Sequence, residues 1–181
     1  MKKIVAFIGG PRKNGFSTQV LNKVIEGAKE AGAEIVTYDL NSPDVRPCQS
    51  CFYCRKFDGC SVQDALQPMY KDIDEAVGII VSIPIYFYSP TAQAKALIDR
   101  LFPMLDSKFR PRHPGKKVVT IYAQGNGDAE LYKNSIDTTN GIFESFGWKI
   151  SKSILVSGTT FMKELDENIV AEAIEAGKNL I

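Results

Sequence analysis

Five apolar segments, rich in β-branched residues, recur at regular intervals along the chain. They cover residues 3–8, 34–40, 77–84, 117–123 and 149–158. Short continuous apolar runs, bounded by glycine, proline and polar residues, are typical of strands that are covered on both faces. The pattern therefore predicts five buried strands.

Between these segments, apolar residues recur at intervals of three and four, which predicts helices. In the first of them, Val20, Leu21, Val24 and Ile25 fall on one face. Asp64 is a candidate N-cap of the second helix, and Pro90 suits the first turn of the third. The predicted helices cover residues 17–31, 64–76, 90–101, 129–146 and 163–181.

Alternating strands and helices predict the α/β class, with a parallel sheet that is wrapped by helices on both faces. The chain has 181 residues and 44% hydrophobic residues, which suits a single domain spanning residues 1–181. A loop over residues 46–62, which contains all the cysteines, is inserted after the second strand.

Charge and composition narrow the classes of partner. The 22 Lys and Arg nearly balance the 21 Asp and Glu, so no global field favours nucleic acid or an anionic membrane. The first apolar run is too short for a signal peptide or a membrane span, and we expect a cytoplasmic protein. Since stable disulfides are rare in a reducing compartment, clustered cysteines there more often bind metal or do redox work.

The turn after the first strand, GGPRKNGFST at residues 9–18, has the composition of a phosphate site. Its glycines allow close approach of the backbone, and Ser17 and Thr18 place hydroxyls at a helix start. Arg12 and Lys13 add positive charge. Phe16 stands where a nucleotide triphosphatase loop needs lysine, and the dinucleotide fingerprint G-x-G-x-x-G is absent, so a single phosphate is the predicted ligand. A plain turn is the alternative.

Two further loops leave strand ends. SIPIYFYSPTAQ, residues 82–93, combines the rigid Pro84 with Tyr86, Phe87 and Tyr88, which suits a flat heteroaromatic ring, although aromatic runs are more often core. AQGNGDAE, residues 123–130, offers glycines for close main-chain approach. Because ligands bind at the carboxyl edge of such sheets, the three loops together predict a mononucleotide site. FRPRHPGKK, residues 109–117, is predicted to be an exposed connection or a seat for the phosphate of a nicotinamide cofactor.

These segments resemble a family. Residues 9–18 resemble the phosphate loop G-S-P-R-K-x-G-x-[ST] of flavodoxin-like NAD(P)H-dependent FMN reductases, and residues 82–100 resemble their second flavin-contacting segment. The spacing C-x2-C-x2-C-x5-C of the cysteines is that of the iron-sulfur flavoprotein branch. Two departures are Gly10 in place of the commoner serine, and CSVQDAL at residues 60–66, which keeps one acid of a frequent C-x3-D-D-M.

The resemblance implies a doubly wound flavodoxin-like sheet of five parallel strands in the order 2-1-3-4-5, with FMN and a 4Fe-4S cluster as cofactors. The implied ligands of the cluster are the four cysteines, Cys48, Cys51, Cys54 and Cys60. Residues assigned to the FMN phosphate are Gly10, Arg12, Asn14, Gly15, Ser17 and Thr18. Residues assigned to the flavin ring are Pro84, Ile85, Tyr86, Phe87, Gln124 and Gly125.

Four thiolates complete the ligand set of either a cubane cluster or a structural zinc ion. Closely successive x2 spacings favour iron and sulfur, because structural zinc usually takes two separated pairs. Unligated thiols or a reversible disulfide, and then zinc, remain alternatives. Phe52, Tyr53 and Phe57 interleave with the cysteines and could shield sulfur from water, pack, or contact a subunit.

The resulting hypothesis is an FMN-dependent electron-transfer oxidoreductase that couples flavin to the cluster, with NAD(P)H or a ferredoxin-type protein as donor or acceptor. No catalytic acid or base is needed. One alternative is an NAD(P)H-dependent FMN or quinone reductase without a cluster, and another is a flavodoxin-like electron carrier without turnover. The resemblance also implies a homodimer or homotetramer. No nucleic acid or membrane partner is expected.

Overall fold

The structure, a computed structural model, describes residues 1–181. A parallel sheet runs through the molecule in the strand order β2-β1-β3-β5-β6, and a short strand, β4, pairs antiparallel with the end of β3. The strands are β1 (Lys2–Ile8), β2 (Ala33–Asp39), β3 (Ala76–Tyr86), β4 (Ser89–Pro90), β5 (Lys117–Ala123) and β6 (Lys149–Val156). Without β4 this order is 2-1-3-4-5, which confirms the predicted doubly wound flavodoxin-like fold.

Helices cover both faces of the sheet. They are α1 (Phe16–Glu30), α2 (Tyr53–Lys56), α3 (Met69–Glu75), α4 (Ala92–Arg100), α5 (Lys133–Ser145) and α6 (Glu167–Lys178), with a 3-10 turn at Phe102–Met104. One core cluster packs α3, α4 and α5 on one face, and a second packs α1 and α6 on the other. No helix combines the length and the apolar character that crossing a bilayer requires.

Helices α1 and α6 touch through their backbones. A Cβ built on Gly27 would lie 1.9 Å from the carbonyl oxygen of Ile174, and one on Gly177 would lie 2.0 Å from that of Val24. Neither glycine can carry a side chain without moving a helix, so the two glycines fix α1, which begins at the phosphate-type turn, against α6.

Several predicted helix starts are wrong by up to five residues. The predicted helix 64–76 begins only at Met69. The carboxylate of Asp64 accepts the N–H of Leu66 at 3.1 Å and binds the guanidinium of Arg100 at 2.6 and 3.0 Å, so it caps a separate turn that precedes α3. Helix α4 begins after Thr91, whose hydroxyl accepts the N–H of Ala94 at 3.3 Å. Helices α5 and α6 begin at Lys133 and Glu167, rather than at residues 129 and 163.

The segment 109–117 is only partly the exposed connection that its composition predicts. It leads into the amino end of β5, away from the edge where the strands end. Lys116 is buried, and its ammonium donates to the carbonyl oxygens of Asp74 at 3.0 Å and Ala76 at 2.8 Å. Lys116 therefore ties this segment to the end of α3.

Candidate functional site

A cavity of about 280 Å³ opens at the carboxyl edge of the sheet, and we call it the rim cavity. Loops that follow β1, β3, β5 and β6 surround it. Its lining residues are Gly10, Pro11, Arg12, Gly15, Phe16, Ser17, Pro84, Ile85, Tyr86, Ala123, Gly125, Thr159 and Thr160. The structure thus brings together the three loops that the sequence indicates, and it adds a fourth.

The turn between β1 and α1 places a helix start at the rim cavity. Gly15 precedes α1 in an extended conformation, and no side chain caps the helix. Ser17 lines the cavity, whereas the hydroxyl of Thr18 donates to the carbonyl oxygen of Arg12 at 3.3 Å. Uncapped N–H groups and the dipole of a helix start favour an anion. The exposed Arg12 adds a full positive charge at the same end of the cavity.

The loops after β5 and β6 are joined by hydrogen bonds. The backbone N–H and the hydroxyl of Thr159 both donate to the carbonyl oxygen of Gln124 at 3.0 Å. The side-chain amide of Gln124 donates to the carbonyl oxygens of Asn126 and Asp128, at 3.2 and 2.6 Å. A Cβ on Gly125 would lie 2.7 Å from Oγ1 of Thr160, so a side chain at residue 125 would require the hydroxyl of Thr160 to move.

Eight of the twelve residues predicted to contact a nucleotide line the rim cavity. The eight are Gly10, Arg12, Gly15, Ser17, Pro84, Ile85, Tyr86 and Gly125. The other four, which lie next to lining residues in the chain, are Asn14, Thr18, Phe87 and Gln124. Of these, Thr18 and Gln124 are buried and hold their loops, and the carbonyl oxygen of Asn14 accepts from Gln19 at 2.9 Å.

The sequence analysis missed Thr159 and Thr160. They follow β6. The feature of the sequence that could have indicated them is the run of small hydroxyl residues and glycine after a predicted strand (SGTT, residues 157–160). In a parallel sheet of this kind, every strand's carboxyl end reaches the same edge.

The hairpin between β3 and β4 carries the aromatic run along one wall. Tyr86 lines the cavity, and Phe87 is 99% exposed at the tip. Phe87 and Tyr88 have φ angles of 46° and 64°, a left-handed conformation that bulky residues rarely adopt. The ring of Tyr88 packs edge-on against Tyr132, with 4.9 Å between centroids.

All four cysteines line a second, smaller cavity of about 70 Å³, which we call the cysteine cavity. Phe52, Tyr53, Phe102 and Pro103 supply much of its apolar wall, so Phe52 and Tyr53 do lie beside the thiols. No cysteine is in a disulfide.

Hydrogen bonds reach the sulfur atoms of the cysteine cavity. The N–H of Ser50 donates to Sγ of Cys48 at 3.4 Å, and that of Val62 to Sγ of Cys60 at 3.5 Å. The hydroxyl of Ser61 lies 3.1 Å from Sγ of Cys51. That hydrogen bond, with help from a backbone N–H, lowers the pKa of the Cys51 thiol and favours its thiolate.

The donor set of this cavity fits a cluster that needs four thiolates and N–H···S hydrogen bonds. One donor beside it, Nε of Arg55, is buried and without a hydrogen-bond partner. No three side chains of the His, Cys, Asp or Glu type lie close enough to hold a metal ion as the chain stands.

A sequence model described as NADPH-dependent FMN reductase matches residues 2–145, which include the phosphate-type turn, the cysteines and β3. The chain belongs to this family. It is therefore a flavin-dependent oxidoreductase, as predicted, and the NADPH-dependent FMN reductase family favours turnover over the carrier alternative.

Relatives of this chain confirm the predicted iron-sulfur flavoprotein branch of the family. An iron-sulfur flavoprotein of Methanosarcina thermophila is 32% identical over 134 residues, covering 74% of this chain and 70% of the relative. An iron-sulfur flavoprotein of Archaeoglobus fulgidus is 32% identical over 163 residues, covering 87% and 81%.

Solved structures share the fold. The NAD(P)H:quinone oxidoreductase of Methanothermobacter marburgensis superposes with a TM-score of 0.75 at 18% identity, covering 98% of this chain and 95% of that one. An FMN-dependent NADH-azoreductase of Bacillus anthracis in complex with FMN gives 0.73 at 16% identity, covering 99% of both.

Proposed function

We propose that the chain binds FMN in the rim cavity and couples it to a 4Fe-4S cluster that is held by Cys48, Cys51, Cys54 and Cys60. The observation that carries this proposal is the convergence of four strand-end loops on one cavity, with a basic helix start at one end and a proline-aromatic wall at the other. This polarity suits a flat ring with a single phosphate.

The phosphate end acts through charge and backbone donors. Arg12 and Ser17 would contact the phosphate directly, and Gly10 and Gly15 let the main chain approach it. Thr18 and Asn14 act indirectly, because their hydrogen bonds hold the turn in shape.

The ring end orients the flavin. Pro84, Ile85 and Tyr86 form one wall, and Gly125 forms part of the opposite one. Gln124 braces the loop that carries Gly125, and the exposed Phe87 stands at the outer tip. When bound, FMN supplies two-electron and one-electron redox chemistry and the cluster supplies one-electron chemistry, while the chain orients both and limits access of water.

A second candidate is an NAD(P)H-dependent FMN or quinone reductase whose thiols hold nothing. The observation that favours it is that no cysteine lines the rim cavity, so the flavin site is formed without the thiols. Four further expectations stay predictions. They are NAD(P)H or a ferredoxin-type protein as electron donor, a homodimer or homotetramer, a cytoplasmic location, and a single domain over residues 1–181 with the cysteine loop 46–62 inserted in it.

The deciding experiment starts from protein that is purified and reconstituted without oxygen. We expect one FMN, and about four iron atoms with about four acid-labile sulfides per chain. Flavin without iron would support the second candidate, and absence of flavin would overturn both.

The site is tested by replacing Arg12. Arg12→Gln should weaken FMN binding about tenfold, the loss of roughly one charge-assisted hydrogen bond, and leave riboflavin binding unchanged. Lys13→Gln is the matched control, since Lys13 is equally exposed but does not line the cavity. An equal loss for FMN and riboflavin, or no loss, contradicts the proposed phosphate position; titrations that follow flavin fluorescence measure both.

A further inference from the structure

We propose that Arg55 is a positioning residue that docks the cysteine-bearing segment 46–62 onto the turn that follows α4 before any cluster is bound, and places a positive charge beside Cys54. This inference rests on the proposed function. It concerns how this chain holds its own thiols, which neither the family match nor the fold explains.

Arg55 grips the turn that follows α4. Its Nη2 donates to the carbonyl oxygens of Phe102 and Leu105, and its Nη1 to that of Asp106, all at 2.7 Å. The guanidinium carbon lies 3.9 Å from the centroid of the Phe102 ring, a cation-π distance. Three carbonyl oxygens that converge on one guanidinium stabilise its positive charge through charge-assisted hydrogen bonds.

Arg100, the last residue of α4, reaches the other way. Its side chain is fully buried and donates to the carbonyl oxygens of Arg46 at 2.8 Å and Val62 at 3.3 Å, which lie at the two ends of the segment. It also forms a two-pronged ion pair with Asp64. Arg100 therefore binds the two ends of the segment, and Arg55 binds the turn after α4 from the middle of the segment.

Two further contacts reach the segment from outside: an ion pair between Arg112 and Asp58, and a hydrogen bond from the side-chain amide of Gln67 to the carbonyl oxygen of Cys60 at 3.1 Å. Helix α2 is a single turn without a buried residue, and the cysteines are exposed or half-buried. Ser50 and Phe52 adopt left-handed φ angles of 51° and 56°, which are unfavourable for side chains other than glycine. Charge-assisted hydrogen bonds from an arginine are the strongest contacts available to such a segment.

The same arginine lies next to a thiol. Nη2 of Arg55 is 3.9 Å from Sγ of Cys54, and Arg100 lines the cysteine cavity. Two guanidinium groups thus flank four potential thiolates. Positive charge at this distance favours the more negative, reduced form of a thiolate-ligated cluster.

The test compares Arg55→Gln and Arg55→Lys with Lys56→Gln. Lys56 is the neighbouring residue, with the same charge, and its side chain is exposed. The first readout is hydrogen exchange of residues 53–60 in metal-free protein, where the N–H of Phe57 bonds the carbonyl oxygen of Tyr53. The second readout is iron retained after anaerobic reconstitution, together with the midpoint potential of the cluster.

We expect exchange in this segment to be about tenfold faster in Arg55→Gln, which corresponds to ~1.4 kcal/mol of lost docking, and unchanged within about twofold in Lys56→Gln. Hydrogen exchange should also be faster in Arg55→Lys, because lysine lacks the planar guanidinium that donates several hydrogen bonds at once. Its midpoint potential should stay near that of the wild type, because the positive charge is kept. Arg55→Gln should retain less iron and have a lower potential.

Exchange and iron retention in Arg55→Gln that match Lys56→Gln would overturn the inference. So would an equal fall in potential for Arg55→Gln and Lys56→Gln, which would show that only net charge matters. If the wild type retains no iron, the proposed function fails, and the exchange of the metal-free chain alone decides whether Arg55 docks the segment.

Discussion

At the scale of single residues, two adjacent glycines at the end of β1 have different surroundings. A Cβ on Gly9 would lie 2.2 Å from the carbonyl oxygen of Ser82, to which the N–H of Gly9 donates at 3.0 Å. A Cβ on Gly10 would lie 3.1 Å from a ring carbon of Pro84 and 3.4 Å from the hydroxyl oxygen of Ser17. Gly9 thus lies against rigid backbone, and Gly10 lies against atoms that can shift slightly.

We therefore predict that Gly9→Ala lowers the free energy of unfolding by about 2–4 kcal/mol, and Gly10→Ala by about 1 kcal/mol or less. The larger loss follows because β1 and β3 must separate to admit the new methyl group. Urea unfolding followed by circular dichroism measures both variants. Equal losses would show that the two glycines are not constrained differently.

Residue chemistry predicted much of the rim cavity. Glycine, proline and aromatic residues at strand ends carry a recognisable signal, which is why Gly10, Pro84 and Tyr86 could be singled out. Thr159 carries only the weaker signal of small hydroxyl residues after a strand, and its contribution depends on β6 ending beside β5. The sequence also does not show that Gln124 turns its amide into its own loop.

At the scale of elements, the β3–β4 hairpin places two bulky residues where a two-residue turn favours asparagine or glycine. Phe87 is 99% exposed and gains no burial there, while its φ angle of 46° is unfavourable. Phe87 follows Tyr86, which lines the rim cavity, and this position is consistent with the proposed contact with a ligand rather than with a role in stability.

Phe87→Asn should therefore raise the free energy of unfolding by about 0.5–1 kcal/mol, because asparagine tolerates the left-handed conformation. The control is Phe161→Asn. Phe161 is 90% exposed but does not have a positive φ angle, so no change is expected there. Thermal unfolding of both variants decides the point, and a loss of stability in Phe87→Asn would mean that the phenyl ring packs in solution.

Element boundaries were predicted well where local pattern decides them and poorly where distant contacts do. The five long strands match the apolar runs closely, because burial on both faces leaves a continuous signal. The start of α3 could not be predicted, since Asp64 caps a separate turn before α3 and at the same time pairs with Arg100, which is 36 residues further along the chain.

At the scale of the whole molecule, buried and paired carboxylates make stability depend on pH. Burial opposes ionisation of Asp64, but hydrogen bonds from Arg100 and from the N–H of Arg46 outweigh it and lower its pKa. Asp72 behaves similarly: hydrogen bonds from Tyr38 and Lys3 outweigh burial and lower its pKa. Each carboxylate binds a proton less readily in the folded chain than in the unfolded one.

A lowered pKa in the folded state contributes stability that is present above the unfolded pKa of about 4 and is lost as the pH falls through the folded value. We expect the urea midpoint to stay level from about pH 7 to pH 5 and to fall steeply below about pH 4. Asp64→Asn should lower the free energy of unfolding at pH 7, because Arg100 is left without a carboxylate partner. It should also make the fall of the urea midpoint below about pH 4, which we call the acid limb, less steep. An unchanged acid limb in Asp64→Asn would assign the pH dependence to other groups.

The contact of Gly27 with Ile174 and of Gly177 with Val24 has a mechanical consequence. Because no side chain separates the two backbones, they are in direct contact at these glycines, and α1 cannot slide or tilt unless α6 moves with it. Helix α6 lies beyond residue 145, where the match to the family model ends. It thereby supports α1, whose first turn faces the rim cavity. Strain applied near the carboxyl terminus would reach the ligand end of α1 as a rigid displacement.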